Sequence, residues 1–273
     1  MNCPPPPSPS EAPSRTSRRS SVIAATVLGL PPHTRACLFD LDGVLTQTAT
    51  VHAAAWKEMF DAFLKDRAAA TDTPFVAFDP VGDYDTYVDG KSRTDGTRSF
   101  LQSRSIDLPM GQVGDRVDAE TINGLSNAKN AILIRRIRHD GVQAYPGSVR
   151  YLRAVRSAGL RTAVVSSSAN CAEVLVAAGI ADLFETRIDG VTVAARRLAG
   201  KPAPDTYLAA AAALGVPRQD AAVFEDALSG VEAGRAGGFG FVVGVDRVGQ
   251  AAALRAHGAD TVVSDLADLM DRP

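Results

Sequence analysis

Phe39-Asp40-Leu41-Asp42-Gly43-Val44 sets two carboxylates two residues apart where the apolar run Arg35-Ala36-Cys37-Leu38-Phe39 comes to an end. The run reads as a short buried strand, and Gly43 permits a sharp exit from it. At a strand end the backbone is already turning. Asp40 can therefore point at a bound group from the last strand position, while Asp42 offers both its carboxylate and its backbone carbonyl. Two neighbouring acids repel each other and stay charged together only beside a cation. A hard divalent ion such as Mg2+ suits the pair, because it takes oxygen ligands from one or two carboxylates together with water and phosphate oxygens. A lone Asp-x-Asp also reads as an Asx turn or a helix cap, so the other motifs of the chain have to decide.

Beyond this stretch, apolar strand patterns alternate with helical ones, which predicts an α/β fold: a doubly wound, Rossmann-like parallel sheet. Strands are expected to end at Asp40, at Ser166 after Thr162–Val165, at Glu225 after Ala221–Phe224, and near Val245 after Phe239–Val243, with a last short one over Thr261–Val263. Ligands collect at the carboxyl ends of such strands, where the polar residues would converge. The interval from Gln47 to Gln143 breaks the rhythm. It opens with a helix that spaces Trp56, Met59, Phe60, Phe63 and Leu64 at i, i+3 and i+4, and closes with another over Ile122 to Ile137. A helical insertion directly after the first strand would sit over the active face as a cap. Ala69 to Tyr87, rich in Asp, Thr and Pro, reads as a loop excursion with no assigned role. The expected division is a disordered Pro-, Ser- and Arg-rich tail and lead-in over 1–32, a core from 33–46 and 144–273, and the helical cap domain over 47–143.

With 273 residues, 45% apolar and 22% charged, the chain can bury a full core. A formal net charge of -2 gives no general pull toward nucleic acid. Cys3, Cys37 and Cys171 lack ligand or disulfide spacing, which fits a reducing cytoplasm. No apolar run reaches the roughly 20 residues of a membrane helix. Arg18-Arg19 followed by Val22–Leu28 resembles a weak export signal, but its apolar part is short and no small-x-small cleavage site follows.

Four further elements add to the two acids. Ser166-Ser167-Ser168-Ala169-Asn170 ends the second core strand and opens a helix from about Cys171; its hydroxyls and free N–H groups suit either a phosphate cradle or plain helix capping. Lys201-Pro202-Ala203-Pro204-Asp205 fixes one of only five lysines, in a chain whose 29 basic residues are otherwise arginine. A lysine kept there reads as a point charge able to neutralise a phosphoryl oxygen and a nucleophile. Phe224-Glu225-Asp226-Ala227-Leu228-Ser229-Gly230 places two adjacent acids after a buried strand, where Asp226 can complete a metal shell with Asp40 and Glu225 can ligate directly or through water. Gly90-Lys91-Ser92-Arg93 lies within the cap, on a loop, where Arg93 can grip a phosphate remote from the reaction centre or simply be solvated.

Taken in order, Asp40-x-Asp42, Ser166, Lys201 and Glu225-Asp226 resemble the haloacid dehalogenase superfamily of phosphoryl-transfer enzymes, over nearly everything from Arg35 to Val263. Thr48-Ala49, His52, Ala55-Trp56-Lys57, Gly90-x-Ser92-Arg93, Tyr145-Pro146-Gly147 and Lys201–Asp205 narrow the resemblance to its beta-phosphoglucomutase branch. A dehalogenase is disfavoured, since that branch lacks the second acid of the first motif. The resemblance implies that Asp40 attacks phosphorus to form an aspartyl phosphate and that Asp42 is the general acid/base. It further implies one Mg2+ held by Asp40, the Asp42 carbonyl, Glu225 and Asp226, with Ser166 and Lys201 balancing the remaining charge. Thr48 and His52 match residues that tune the acid and the cap hinge. Arg93, Ser168 and Asn170 match positions that grip a far phosphate, with Gly90 and Ser92 in the same cap motif. Ala169 stands where the family has a lysine, and Lys91 is the expected substitute for its charge. The first expectation is a hexose-phosphate mutase acting on beta-glucose 1-phosphate with glucose 1,6-bisphosphate as activator. A sugar-phosphate phosphatase comes second. A non-catalytic binding protein comes last, since it would have lost Asp40, Lys201 or Asp226. The expected partner is a small sugar phosphate, with no nucleic acid and no membrane, bound by a monomer.

Overall fold

A computed structural model describes residues 25–270. Six parallel strands form one sheet in the order β3-β2-β1-β4-β5-β6: β1 (Ala36–Phe39), β2 (Arg161–Val165), β3 (Thr186–Ile188), β4 (Ala221–Glu225), β5 (Phe241–Val245) and β6 (Thr261–Val263). The central strands are apolar on both faces because helices cover both, as parallel sheets require. Alternate residues of β1 divide between the two layers. Cys37 and Phe39 pack with Tyr151, Val164 and Phe224 on one side, and Ala36 and Leu38 with Ala163, Tyr207 and Val223 on the other. Phe39 stacks on Phe224 at 4.4 Å and meets the edge of Tyr151 at 6.5 Å, pairs that each contribute about 0.5–1.5 kcal/mol beyond their buried area.

Two strand expectations need correction. β3 was not anticipated, because three residues with an exposed Arg187 at the sheet edge carry too little pattern to read. β5 begins at Phe241 rather than Phe239, since Phe239 turns under the sheet to meet Tyr207 at 6.0 Å and Gly240 still belongs to the turn, its N–H donating to Ala221 O.

The N-terminal boundary also shifts. Residues 1–24 lie outside the described residues, and with them most of the expected tail. Ala25, Leu28 and Leu30, placed in the lead-in by the sequence, are buried in the main core, and Tyr151 Oη donates to Leu28 O at 2.9 Å. The apolar stretch after the arginine pair thus contributes core surface from Ala25 onward. No helix among the described residues is long and apolar enough to cross a membrane.

The insertion is built on α1 (Ala49–Thr71), α2 (Arg93–Ser103) and α3 (Ile122–Asp140). Trp56, Phe60, Phe78 and Phe100 form its aromatic centre, with Phe60 and Phe100 rings 4.1 Å apart. The 69–87 excursion is therefore not without a role, because it supplies Phe78 and Tyr84 to this core; the surrounding polar residues mask them in the sequence. Arg93 likewise opens a helix capped by Ser92 rather than lying on a loop. The chain enters and leaves the insertion at one place: Thr46 and Ala144 form an antiparallel bridge, and Gln47 N donates to Gln143 O at 2.8 Å.

Candidate active site

The register of the sheet assembles one half of the site. Phe39 pairs with Val164 on one side and Phe224 on the other, so Asp40, Ser166 and Glu225 stand at the ends of adjacent strands. Lys201 reaches between them, its Nζ 2.5 Å from both Asp40 Oδ1 and Glu225 Oε1 and 3.4 Å from Val165 O. Tyr207 Oη donates to Glu225 at 2.6 Å, and all four side chains are buried. Burial would lower the ammonium's pKa, but Asp40 and Glu225 outweigh it and hold Lys201 charged, above its usual range. Burial pushes the Asp40 carboxyl up; Lys201 opposes that rise, and Glu225 and Asp42 add to it. Asp226 is raised by burial and by Asp89, Asp40 and Glu225. One carboxylate oxygen from each of Asp40, Glu225 and Asp226 lies within 4.8 Å of the others. Buried acids gathered so closely, with one lysine among them, fit a divalent cation. Gly43, at φ +85°, does more than turn the chain, since a Cβ there would lie 1.7 Å from Asp226 Oδ2.

The cap supplies the other half. Thr48 Oγ1 donates to Asp42 Oδ1 and pairs with Thr46 Oγ1 at 2.7 Å, which bonds Leu41 O at 3.1 Å. His52 Nε2 stands 3.6 Å from Asp42 Oδ1, and its Nδ1 is 3.0 Å from Lys129 Nζ. Burial, then the charges of Lys129 and Arg93, press His52 down to about 4, against the pull of Asp42. The ring is therefore neutral at physiological pH; an ammonium only donates, so Nδ1 accepts from Lys129 and the proton falls on Nε2, facing Asp42 beyond hydrogen-bond distance. Lys129, buried beneath Trp56, is itself lowered to about 7 by burial and by Arg93.

Three contacts seat the cap on the core. Ser167 Oγ donates to Gly90 O at 2.7 Å, Ser229 Oγ to Asp89 O at 3.0 Å, and Asn170 Nδ2 to Asn130 Oδ1 at 2.8 Å. Gly90, at φ +70°, permits this approach, because a Cβ would come within 2.3 Å of Ser229 Oγ. Between the two halves lies a cavity of about 50 Å³ lined by Asp40, Asp42, His52, Arg93, Lys129 and Asp226 among others. It has room for a few waters.

The family model for haloacid dehalogenase-like hydrolases matches residues 34–238. The chain belongs to this family. It is 58% identical over 251 residues to a beta-phosphoglucomutase of Mycobacterium tuberculosis, covering 91% of this chain and 96% of that one. It is 32% identical over 235 residues to the beta-phosphoglucomutase of Bacillus subtilis, covering 86% and 91%. The crystal structure of beta-phosphoglucomutase from Clostridium difficile superposes with a TM-score of 0.68 at 26% identity, covering 86% of this chain and 93% of that one. The α/β sheet with its helices is that of the haloacid dehalogenase-like enzymes, and the chain is an enzyme of that kind.

Within this haloacid dehalogenase-like site, Asp40, Asp42, Thr48, His52, Gly90, Lys91, Arg93, Ser168 and Asp226 all reach the cavity or its lining. Ser166 sits just behind, its Oγ 3.5 Å from Asp42 Oδ2 and accepting from Ser168 N. Other expectations change. The ammonium of Lys91 is held by Tyr87 O at 3.0 Å and Ser99 Oγ at 3.1 Å, so its donors are engaged within the cap rather than free to replace the lysine missing at Ala169. Ala169 is exposed and, like Ser92, lines a neighbouring cleft instead of the reaction cavity. Asn170 is engaged with the cap's Asn130. The sequence reading missed Lys129, Asp89 and Tyr84. Lys129 is one of the five lysines and falls on the apolar face of α3, an improbable place for an unpaired charge, which was the available signal. Asp89 accepts from the Tyr84 hydroxyl and is pushed to about 7, by burial first and then by Glu225 and Asp85.

Proposed function

We propose that this chain is a beta-phosphoglucomutase, which interconverts beta-glucose 1-phosphate and glucose 6-phosphate through an aspartyl phosphate on Asp40. The observation that carries the reading is the meeting of Asp42, from the core, with Thr48 and His52, from the cap, over a small cavity between the two halves. A hydrolase needs water at the acyl phosphate, whereas a mutase must keep it out until the sugar returns reversed.

In this reading Asp40 Oδ attacks phosphorus in line while Lys201 and Ser166 balance charge on the phosphoryl oxygens. Asp42 gives a proton to the departing sugar oxygen and later takes one from the attacking hydroxyl, its carboxylate oriented by Thr48 and by the Nε2–H side of His52. Asp40, the Asp42 carbonyl and Asp226 would hold Mg2+, with Glu225 behind them; the ion supplies electrostatic stabilisation of the transferring group. Arg93, Lys129 and Ser168 receive the far phosphate, and glucose 1,6-bisphosphate serves as activator. Residues 25–46 and 144–270 form the catalytic body and 47–143 the cap, acting as a cytoplasmic monomer.

The exposed Ala169 favours one second reading, a sugar-phosphate phosphatase, because the far-phosphate grip lacks an ammonium there. One tube decides. The protein is incubated with beta-glucose 1-phosphate, Mg2+ and a trace of glucose 1,6-bisphosphate, and glucose 6-phosphate and free phosphate are followed together. Glucose 6-phosphate without stoichiometric phosphate is the expected result; phosphate without isomerisation overturns the mutase reading and makes the chain a phosphatase.

A further inference from the structure

Arg247 lies on the loop after β5, outside the reaction cavity, and its side chain is 15% exposed. Its Nε donates to Gly43 O at 2.8 Å, its Nη2 to Val44 O and to Ser148 Oγ, both at 3.3 Å, and its Nη1 to Ser264 O at 2.7 Å. Asp265 is 3.8 Å away as counter-charge. The guanidinium carbon stands 3.6 Å from the centre of the Tyr145 ring. Gly43 and Val44 lie just before the chain enters the cap; Tyr145 follows its exit as the N-cap of the core helix Pro146–Ser157, whose first turn carries Ser148. One planar fork therefore touches the chain on both sides of the insertion. The loop that carries it is itself fixed. The Asp246 carboxylate accepts from the N–H groups of Val248, Gly249, Gln250 and Ala251, and Gln250 Nε2 donates to Asp226 O at 3.0 Å.

We propose that Arg247 is a positioning residue for Asp42: it fixes the pivot about which the cap closes, so that Thr48 and His52 arrive on the Asp42 carboxylate in register. Gly43 is one residue from Asp42, and the segment entering the cap carries the Thr46–Thr48 hydroxyl pair that ends on its carboxylate. A displacement of about 1 Å in such a group can cost about 10²-fold in rate. Lysine is no substitute, because the grip uses a flat fork of several donors and a ring face. The inference rests on the acid/base role given to Asp42 above.

The test compares Arg247→Ala, Arg247→Lys and the parent enzyme on two leaving groups. Release of glucose from glucose 6-phosphate in a single turnover, as the phosphoryl group passes to Asp40, needs a proton from Asp42, whereas the pre-steady-state burst of nitrophenolate from 4-nitrophenyl phosphate does not. In Arg247→Ala, the single-turnover rate on the sugar ester is expected to fall about tenfold or more with its half-saturation little changed, while the burst rate stays within about twofold. Millimolar guanidinium restores part of the loss, and Arg247→Lys remains impaired. An unchanged single-turnover rate on the sugar ester, an equal loss on both leaving groups, or full activity in Arg247→Lys overturns the proposal. If Arg247→Ala does not fold, Tyr145→Leu, which removes only the ring beneath the fork, is expected to show the same leaving-group split to a smaller degree, and no split overturns it. Failure of the parent enzyme to isomerise beta-glucose 1-phosphate would sink the mutase reading while leaving this comparison intact.

Discussion

The two walls of the reaction cavity are built on opposite principles. On the core side, Asp40, Ser166, Glu225 and Asp226 stand at or just past the ends of strands whose positions are locked by backbone pairing, and Lys201 is bound on both sides by carboxylates. On the cap side, Thr48, His52, Arg93 and Lys129 project from helices that meet the core through a few hydroxyl and amide contacts. The core holds reacting atoms in fixed geometry whatever the cap does. On the proposed reading, the cap decides when that geometry is complete, and for which substrate.

If this division holds, changes on the core wall should abolish chemistry and changes on the cap wall should alter affinity and timing. Asp40→Asn gives the largest effect: the chain folds, and turnover of beta-glucose 1-phosphate falls by about 10⁴-fold or more, measured with the phosphorylated intermediate absent from quenched samples. Substantial residual turnover would remove the covalent route. Asp42→Asn follows, with kcat reduced by about 10²- to 10⁴-fold while Mg2+ affinity, measured by calorimetry, is retained because the carbonyl remains. Simultaneous loss of metal binding would place Asp42 among the obligatory ligands and blur the two walls.

Lys129→Met probes the cap. KM for the sugar phosphate rises about tenfold or more, as expected for a lost charge-assisted contact. The free protein becomes more stable at pH 6, by roughly a few degrees in Tm, because a buried ammonium is removed. The pKa of Lys129 falls from 10.5 unfolded to about 7 folded, so below pH 7 the lysine is charged in both states and its burial opposes folding in full. That opposition fades as pH rises from 7 to 10.5, and the advantage of the methionine variant should fade with it. A gain independent of pH would mean that packing, not charge, is responsible. The smallest effect belongs to Ser229→Ala, which removes one hydroxyl contact across the seam and shifts the closed state by about 1 kcal/mol. Hydrogen exchange in residues 89–93 should quicken about fivefold, with the burst of nitrophenolate unaltered.

The core wall was legible in the sequence because its chemistry sits where an apolar run stops: Phe39 before Asp40, Val165 before Ser166, Phe224 before Glu225. A polar residue at such a junction has no packing explanation. The cap wall was legible only in part, through Thr48, His52 and Arg93. Tyr84 occupies a position that packing would also fill, so spacing alone gives no reason to separate it from Trp56 or Phe60, and Lys129 stands out only by carrying a charge on the apolar face of its helix. Phe78 and β3 were hidden for a simpler reason, since one apolar residue in a polar loop and three residues at a sheet edge fall below any periodicity. The reach of Arg247 to Gly43 crosses the end of β4 between segments about two hundred residues apart, and nothing local in either segment announces it.

Entry and exit of the insertion lie side by side, with Gln47 N on Gln143 O. Topologically the cap is a pendant joined at a single point, and the six-strand order closes without it. A lineage can therefore exchange or remodel everything between those two glutamines while the strand-end acids, the lysine and the cation site keep their places, so selectivity can drift independently of the reaction it serves.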